Sequence, residues 1–150
     1  MSVVAELRFE TLDPAAELAA VLAMGEGAVV SFVGVARPQS HQGSKLDRLV
    51  LEHHQQLTQK SLEEIAADTA GRFDVRHIRV VHRCGAIAPG EPIVFASAAS
   101  PHRRAAFEAA DYLMDRLKTE AIFWKREEGP EGSQWIEPTE ADYAARGRWE

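Results

Sequence analysis

Apolar and polar residues follow two rhythms along this chain, and the alternation between them predicts its elements. Asp13-Pro14 opens AAELAAVLAM and Gly25 closes it. Asp13 can cap free amides, Pro14 suits the first helical position and Gly25 the stop, so a short helix is predicted. Residues 27–35 (GAVVSFVGV) are β-branched and aromatic, as in a buried strand. Residues 37–44 are polar turn formers and predict a mobile loop. A strand is predicted over 46–54. Leu62, Ile65, Ala66 and Thr69 have helical spacing within 58–70, closed by Gly71. Residues 75–82 and 93–99 read as a strand pair with a turn at Pro89-Gly90-Glu91. Ser100 as N-cap and Pro101 begin the clearest helix. Its apolar stripe is Phe107, Ala110, Leu113, Met114 and Leu117, and it ends near 118–120. Short strands at 122–126 and 134–137 flank a turn at 129–132, and 139–146 predicts a last helix. Helices and hairpin strands mix without βαβ regularity, so the class is α+β.

Length and composition narrow the picture. A chain of 150 residues with 45% hydrophobic content can bury one core, so a single domain over 1–150 is expected. No apolar run approaches the roughly 20 residues of a membrane helix, and the start lacks the pattern of a signal peptide. The single cysteine, Cys84, excludes an internal disulfide and a cysteine-based metal site and suits the cytoplasm. A net charge of −6 argues against non-specific nucleic-acid binding. The basic residues nevertheless concentrate between His102 and Arg126, which points to a small anionic ligand.

Three groups of residues could carry chemistry. His102 and Arg103 sit in the first turn of the long helix, where free amides and the helix dipole favour an anion and arginine can grip phosphate bidentately. Lys118 ends that helix, and Lys125 lies beside Phe123 and Trp124 in an apolar strand. A lysine next to aromatic bulk and a second cation loses its proton more readily, which suits acid–base work. Arg37 opens the polar loop. By residue type alone each group also fits a solvated surface. His53 and His54 are adjacent on a strand and point to opposite faces, so a shared metal ion is not expected. Cys84 reads as a buried filler.

Five segments carry a resemblance: GAVVSFVGVAR (27–37), LEHH (51–54), HRCG with PGE (82–85 and 89–91), SPHRRAAFEAADYLMDRLKTEAIFWKRE (100–127) and EGSQWIE (131–137). Together they resemble the large, catalytic subunit of molybdopterin synthase. The resemblance implies an α/β-hammerhead-like fold and a sulfurtransferase. It also implies a small ubiquitin-like partner with a C-terminal thiocarboxylate, a central homodimer within a heterotetramer, and a pterin phosphate substrate. No cofactor or metal is implied. Carried over residue by residue, Lys118 and Lys125 are the catalytic lysines. Arg37, His102 and Arg103 hold the substrate. Val35 and Ala36 line it, and Arg126 and Glu127 belong to the second lysine segment. The chain departs from the family pattern at Gly34-Val35-Ala36-Arg37-Pro38, where proline pushes Arg37 toward extended geometry. The site requires the helix start and the lysine pair to share one cavity. The alternative is a non-catalytic module that binds a phosphorylated ligand or a ubiquitin-like tail, for which Lys118 would be superfluous. A phosphate-ester hydrolase is a third reading, disfavoured by the lack of a carboxylate dyad.

Overall fold

The computed structural model describes residues 1–150. Its elements are β1 (Ser2–Arg8), α1 (Pro14–Leu22), β2 (Ala28–Val35), β3 (Arg48–His53), α2 (Gln55–Arg72), β4 (His77–Arg83), β5 (Gly85–Ile87), β6 (Pro92–Ser100), α3 (Arg103–Glu120), β7 (Phe123–Gly129), β8 (Gly132–Ile136) and α4 (Glu140–Gly147). Two four-stranded sheets result. The first runs β1-β4-β6-β2, with β1 parallel to β4 and the other pairs antiparallel. The second, β5-β3-β7-β8, is antiparallel throughout. The α+β class predicted by the sequence holds.

Period-two alternation builds the main core. Ile78 and Val80 of β4 and Ala96 and Ala98 of β6 turn to one face. There they meet Leu62, Ile65 and Ala66 of α2 and Ala109, Leu113 and Leu117 of α3. The small alanines of β6 let helix α3 lie close to the sheet. On the opposite face Val81, Phe95 and Ala99 pack against Leu12 and Val21 at α1. Leu49, Leu51, Ile87 and Ala36 form a smaller cluster on the second sheet. Phe123 touches both the main core and this cluster, and so ties the sheets together.

Several elements differ from the sequence pattern. Strand β1 is not predicted, because its apolar residues do not alternate cleanly and almost all of it is half buried. It lies at a sheet edge, where the Gln59 side chain accepts from Leu7 N and donates to Ala5 O, both at 2.8 Å. That side chain does the work of a neighbouring strand and closes the edge. Helix α2 starts three residues earlier than its apolar spacing suggests, because His54 Nδ1 caps it by accepting from Leu57 N at 3.1 Å. The 75–99 strand pair is present as β4 and β6, but the segment between them leaves to pair with β3 as β5. Gly85, at φ +85°, makes that exit possible.

Ser100 is not the N-cap of α3. It remains paired with Ala28 as the last residue of β6, donates to Asp74 O at 2.8 Å and accepts from His102 N at 3.2 Å. His102 occupies the N-cap and makes no side-chain cap bond. Phe107, expected in the buried stripe, is 61% exposed, since the packed face of α3 centres on Ala106, Ala109, Leu113 and Leu117. The 37–44 segment, a loop as expected, is tied back on itself. Ser40 N donates to Ser44 O at 2.7 Å, and Ser40 Oγ accepts from Gln42 N and Ser44 N. Its return leg passes so close to β7 that a Cβ on Gly129 would sit 2.7 Å from Lys45 O.

Candidate active site

Alternation along β7 decides which of its side chains can act together. Phe123, Lys125 and Glu127 face inward, opposite His53, Leu51 and Leu49 of β3. Lys125 therefore projects over an apolar sheet face, paired on its other side with Ile136 of β8. Burial first and the nearby charge of Lys118 second lower its ammonium pKa to about 8, with Glu127 and Asp142 opposing the shift. The two lysines expected at the site, Lys118 at the end of α3 and Lys125 on β7, are thus brought together by the fold. The acids around them are engaged elsewhere. Glu127, 5% exposed, accepts from His41 Nδ1 at 3.1 Å, and Glu128 accepts from Arg126 at 2.8 Å. Asp142 accepts from Thr139 N at 2.8 Å.

Other expected site residues lie at varied distances from this pair. Arg126 points to the outer face of the sheet, where it pairs with Glu52 at 2.5 Å and with Glu128. Glu127 shares the inner face with Lys125 and anchors the 37–46 loop through His41. Ala36 is buried, bonded through its backbone to Glu91 O and Gly90 N, while Val35 and Arg37 are exposed at the strand end. A polar hollow of 160 Å³ lies between that loop and the β7–β8 turn, with Glu127 in its wall. His102 and Arg103 are exposed at the far end of α3. Fifteen helical residues at 1.5 Å each separate Arg103 from Lys118 by about 22 Å. Within one chain, the helix start and the lysine pair do not share a cavity.

Sequence reasoning passed over His82, which enters there only as the first residue of the HRCG segment. Its ring stacks on Phe123 with centroids 4.3 Å apart, and its Nδ1 lies 2.8 Å from Arg83 O. Nδ1–H donating to that carbonyl leaves the Nε2 lone pair free. Burial pushes its pKa down to about 4, with the charge of nearby Lys125 acting in the same direction. The unfolded chain takes up this proton first as pH falls, so stability is lost from about pH 6.5 downward. The expected loss reaches about 2 kcal/mol by pH 5. Urea midpoints of the wild type and His82→Gln, compared across this window, test it. The wild type alone should show the full decline, because Glu17, held below the ordinary carboxylate range despite its burial by hydrogen bonds from Arg79 and Arg8, loses its contribution only at more acid pH.

Comparison with known proteins fits this geometry. Residues 7–120 match the family described as MoaE protein. The chain is 46% identical over 140 residues to the molybdopterin synthase catalytic subunit of Pseudomonas aeruginosa, covering 92% of this chain and 93% of that protein. It is 44% identical over 124 residues to the subunit of the same name from Escherichia coli, covering 83% and 82%. Among solved structures, the molybdopterin biosynthesis MoaE protein from Burkholderia ambifaria superposes with a TM-score of 0.82 at 35% identity, covering 99% of this chain and 98% of that one. The molybdopterin synthase structure from Staphylococcus aureus gives 0.80 at 27% identity, covering 88% and 96%. Fold and relatives together define the class, an α+β enzyme that transfers sulfur. The chain belongs to the MoaE protein family, and its role is that of the catalytic subunit of molybdopterin synthase in molybdenum cofactor biosynthesis.

Proposed function

We propose that this chain, as one cytoplasmic domain, transfers sulfur from the C-terminal thiocarboxylate of a small ubiquitin-like subunit onto cyclic pyranopterin monophosphate, forming the dithiolene of molybdopterin. The observation that carries this reading is the lysine pair, two ammonium groups from α3 and β7 converging over an apolar face with the surrounding carboxylates engaged by other donors. A thiocarboxylate is a soft anion that cations can steer and hold. Lys118 then protonates the oxygen that leaves the pterin side chain, and Lys125 keeps the local field positive and orients the tail carbonyl. Arg37, His102 and Arg103 anchor the phosphate, with Val35 and Ala36 beside it, which fixes the reacting carbons within reach. Arg126 and Glu127 hold the segment that carries Lys125.

The length of α3 supports a site completed by a second copy of the chain. With His102 and Arg103 about 22 Å from Lys118, the phosphate anchor at one lysine pair comes from the neighbouring protomer of a central homodimer. The exposed Phe32, Val33, Val35 and Phe107 are apolar surface of the kind a subunit contact covers. The direct experiment is reconstitution: this protein, a thiocarboxylated small subunit and cyclic pyranopterin monophosphate are mixed, and the dithiolene is measured. Tight binding of both partners with no product would favour the non-catalytic module instead. Because Lys125 acts as an ammonium, kcat/KM is expected to fall as pH rises through about 8. A rate that holds level to pH 10 would remove Lys125 from the charged role.

A further inference from the structure

Helix α4 is short and buries none of its residues fully, yet it is fastened at both ends. At its start Thr139 and Asp142 form a reciprocal capping box: Thr139 Oγ1 accepts from Asp142 N at 3.1 Å, and an Asp142 carboxylate oxygen accepts from Thr139 N at 2.8 Å. Past its end, Arg148 reaches Asp111 and Asp115 of α3 at 3.2 and 2.7 Å. The Trp149 indole N–H donates to Asp115 at 2.7 Å, and its ring packs edge-on against Tyr112 and Phe73. Arg72 bonds the Trp149 carbonyl. These contacts lay α4 along α3, with its first turn toward the α3 C-terminus that carries Lys118. The chain enters α4 directly from β8, whose Ile136 stands opposite Lys125. Asp142, half-buried, therefore lies near enough for its charge to act on both lysines without an ion pair, from an element that otherwise has no part in the site.

We infer that Asp142 is a positioning residue for sulfur transfer, and that α4 with its Arg148–Trp149 anchor is the strap that holds its carboxylate against the lysine pair. This rests on the sulfur-transfer reading given above. Two ammonium groups forced together over an apolar face repel one another, and the buried Lys125 deprotonates more easily for it. A fixed anion beside them offsets that repulsion and helps keep Lys125 charged at working pH. It is set back from direct ion pairing by its bonds to Thr139, so the ammonium hydrogens stay available to substrate. Of the other groups facing Lys125, Lys118 of α3 is a like charge and His82 of β4 is neutral near pH 7. Glu127 of β7, which accepts from His41, is the stronger opposing charge at Lys125, so Asp142 is the second anion there and the one supplied by α4. The residues facing Lys125 from β3 and β8 are Leu51 and Ile136, which carry no charge.

The test is the pH profile of dithiolene formation by Asp142→Asn in the reconstituted complex. Asparagine keeps an oxygen that can accept from Thr139 N and removes the charge alone. The alkaline limb of kcat/KM should move to lower pH, so that the deficit against wild type grows with pH and vanishes on the acid side. Asp142→Glu should restore the wild-type limb, and Arg148→Ala, which loosens the strap, should shift it in the same direction as Asp142→Asn. Superimposed profiles, or a loss that is the same at every pH, would overturn the inference. So would failure of both Asp142→Asn and Asp142→Ser to fold while Asp142→Glu folds, which would make the role structural. A nitrogen-15 NMR titration of the Lys125 ammonium in wild type and Asp142→Asn reads the same shift without turnover. It separates failure of this inference from failure of the sulfur-transfer reading, which would show as a wild type that makes no dithiolene.

Discussion

Replacing Lys118 by alanine is expected to lower dithiolene formation by about 10²–10⁴-fold, the range for loss of a positioned proton donor, while folding and partner binding stay intact. Lys118 is exposed in the last turn of α3, so its truncation leaves no cavity and no orphaned buried group. The main core cluster ends at Leu117, one residue earlier. Loss of rate should therefore appear in single-turnover chemistry with unchanged thermal stability and unchanged affinity for the small subunit. Turnover within a few-fold of wild type would sink the acid role and leave the binding-module reading standing. Removal of Lys118 also relieves its repulsion of Lys125, so the Lys125 ammonium should titrate at higher pH in this variant.

The second large effect is a complementation. Arg103→Ala alone is expected to weaken substrate binding, seen as a raised KM for the pterin phosphate with less change in kcat. A bidentate charge-assisted contact of this kind is worth on the order of 2–3 kcal/mol, or about 30- to 150-fold in apparent affinity. Lys118→Ala and Arg103→Ala subunits mixed, unfolded and refolded together should regain activity that neither has alone at limiting substrate. If each site takes its lysines from one protomer and its phosphate anchor from the other, a mixed dimer holds one intact site. Random assembly then yields about a quarter of the wild-type sites. No regain on mixing, with mixed dimers demonstrated by differential tagging, would mean that His102 and Arg103 serve no lysine pair across a dimer contact. The 22 Å along α3 would then have no bridge.

Much of this was legible along the chain because it is decided locally. Asp13-Pro14 starts α1 through its own side chain, with Asp13 accepting from Ala15 N and Ala16 N. The two-residue period of β4, β6 and β7 and the helical period of α2 and α3 fix which side chains turn inward, whatever they meet there. Thr139-Glu140-Ala141-Asp142 carries a capping signature that marks the start of α4. Ser100 misled because a serine before proline is a cap only if the backbone has left the strand, and here the pairing of Ser100 with Ala28 keeps it in β6. Phe107 misled because the stripe's centre depends on where the sheet lies, which the helix itself cannot know.

The sequence alone settled the α+β class, most element positions and, through five matching segments, the family, and it was that resemblance that singled out the two lysines. Tertiary structure alone decided that Lys118 and Lys125 meet, that Arg126 turns away from them, that His82 and Asp142 face them, and that His102 and Arg103 stand a helix length apart. The reason is physical. Helix and strand periods act over a few residues, whereas a lowered lysine pKa depends on burial and on charges from α3, β4, β7 and α4, elements that only packing brings to one place.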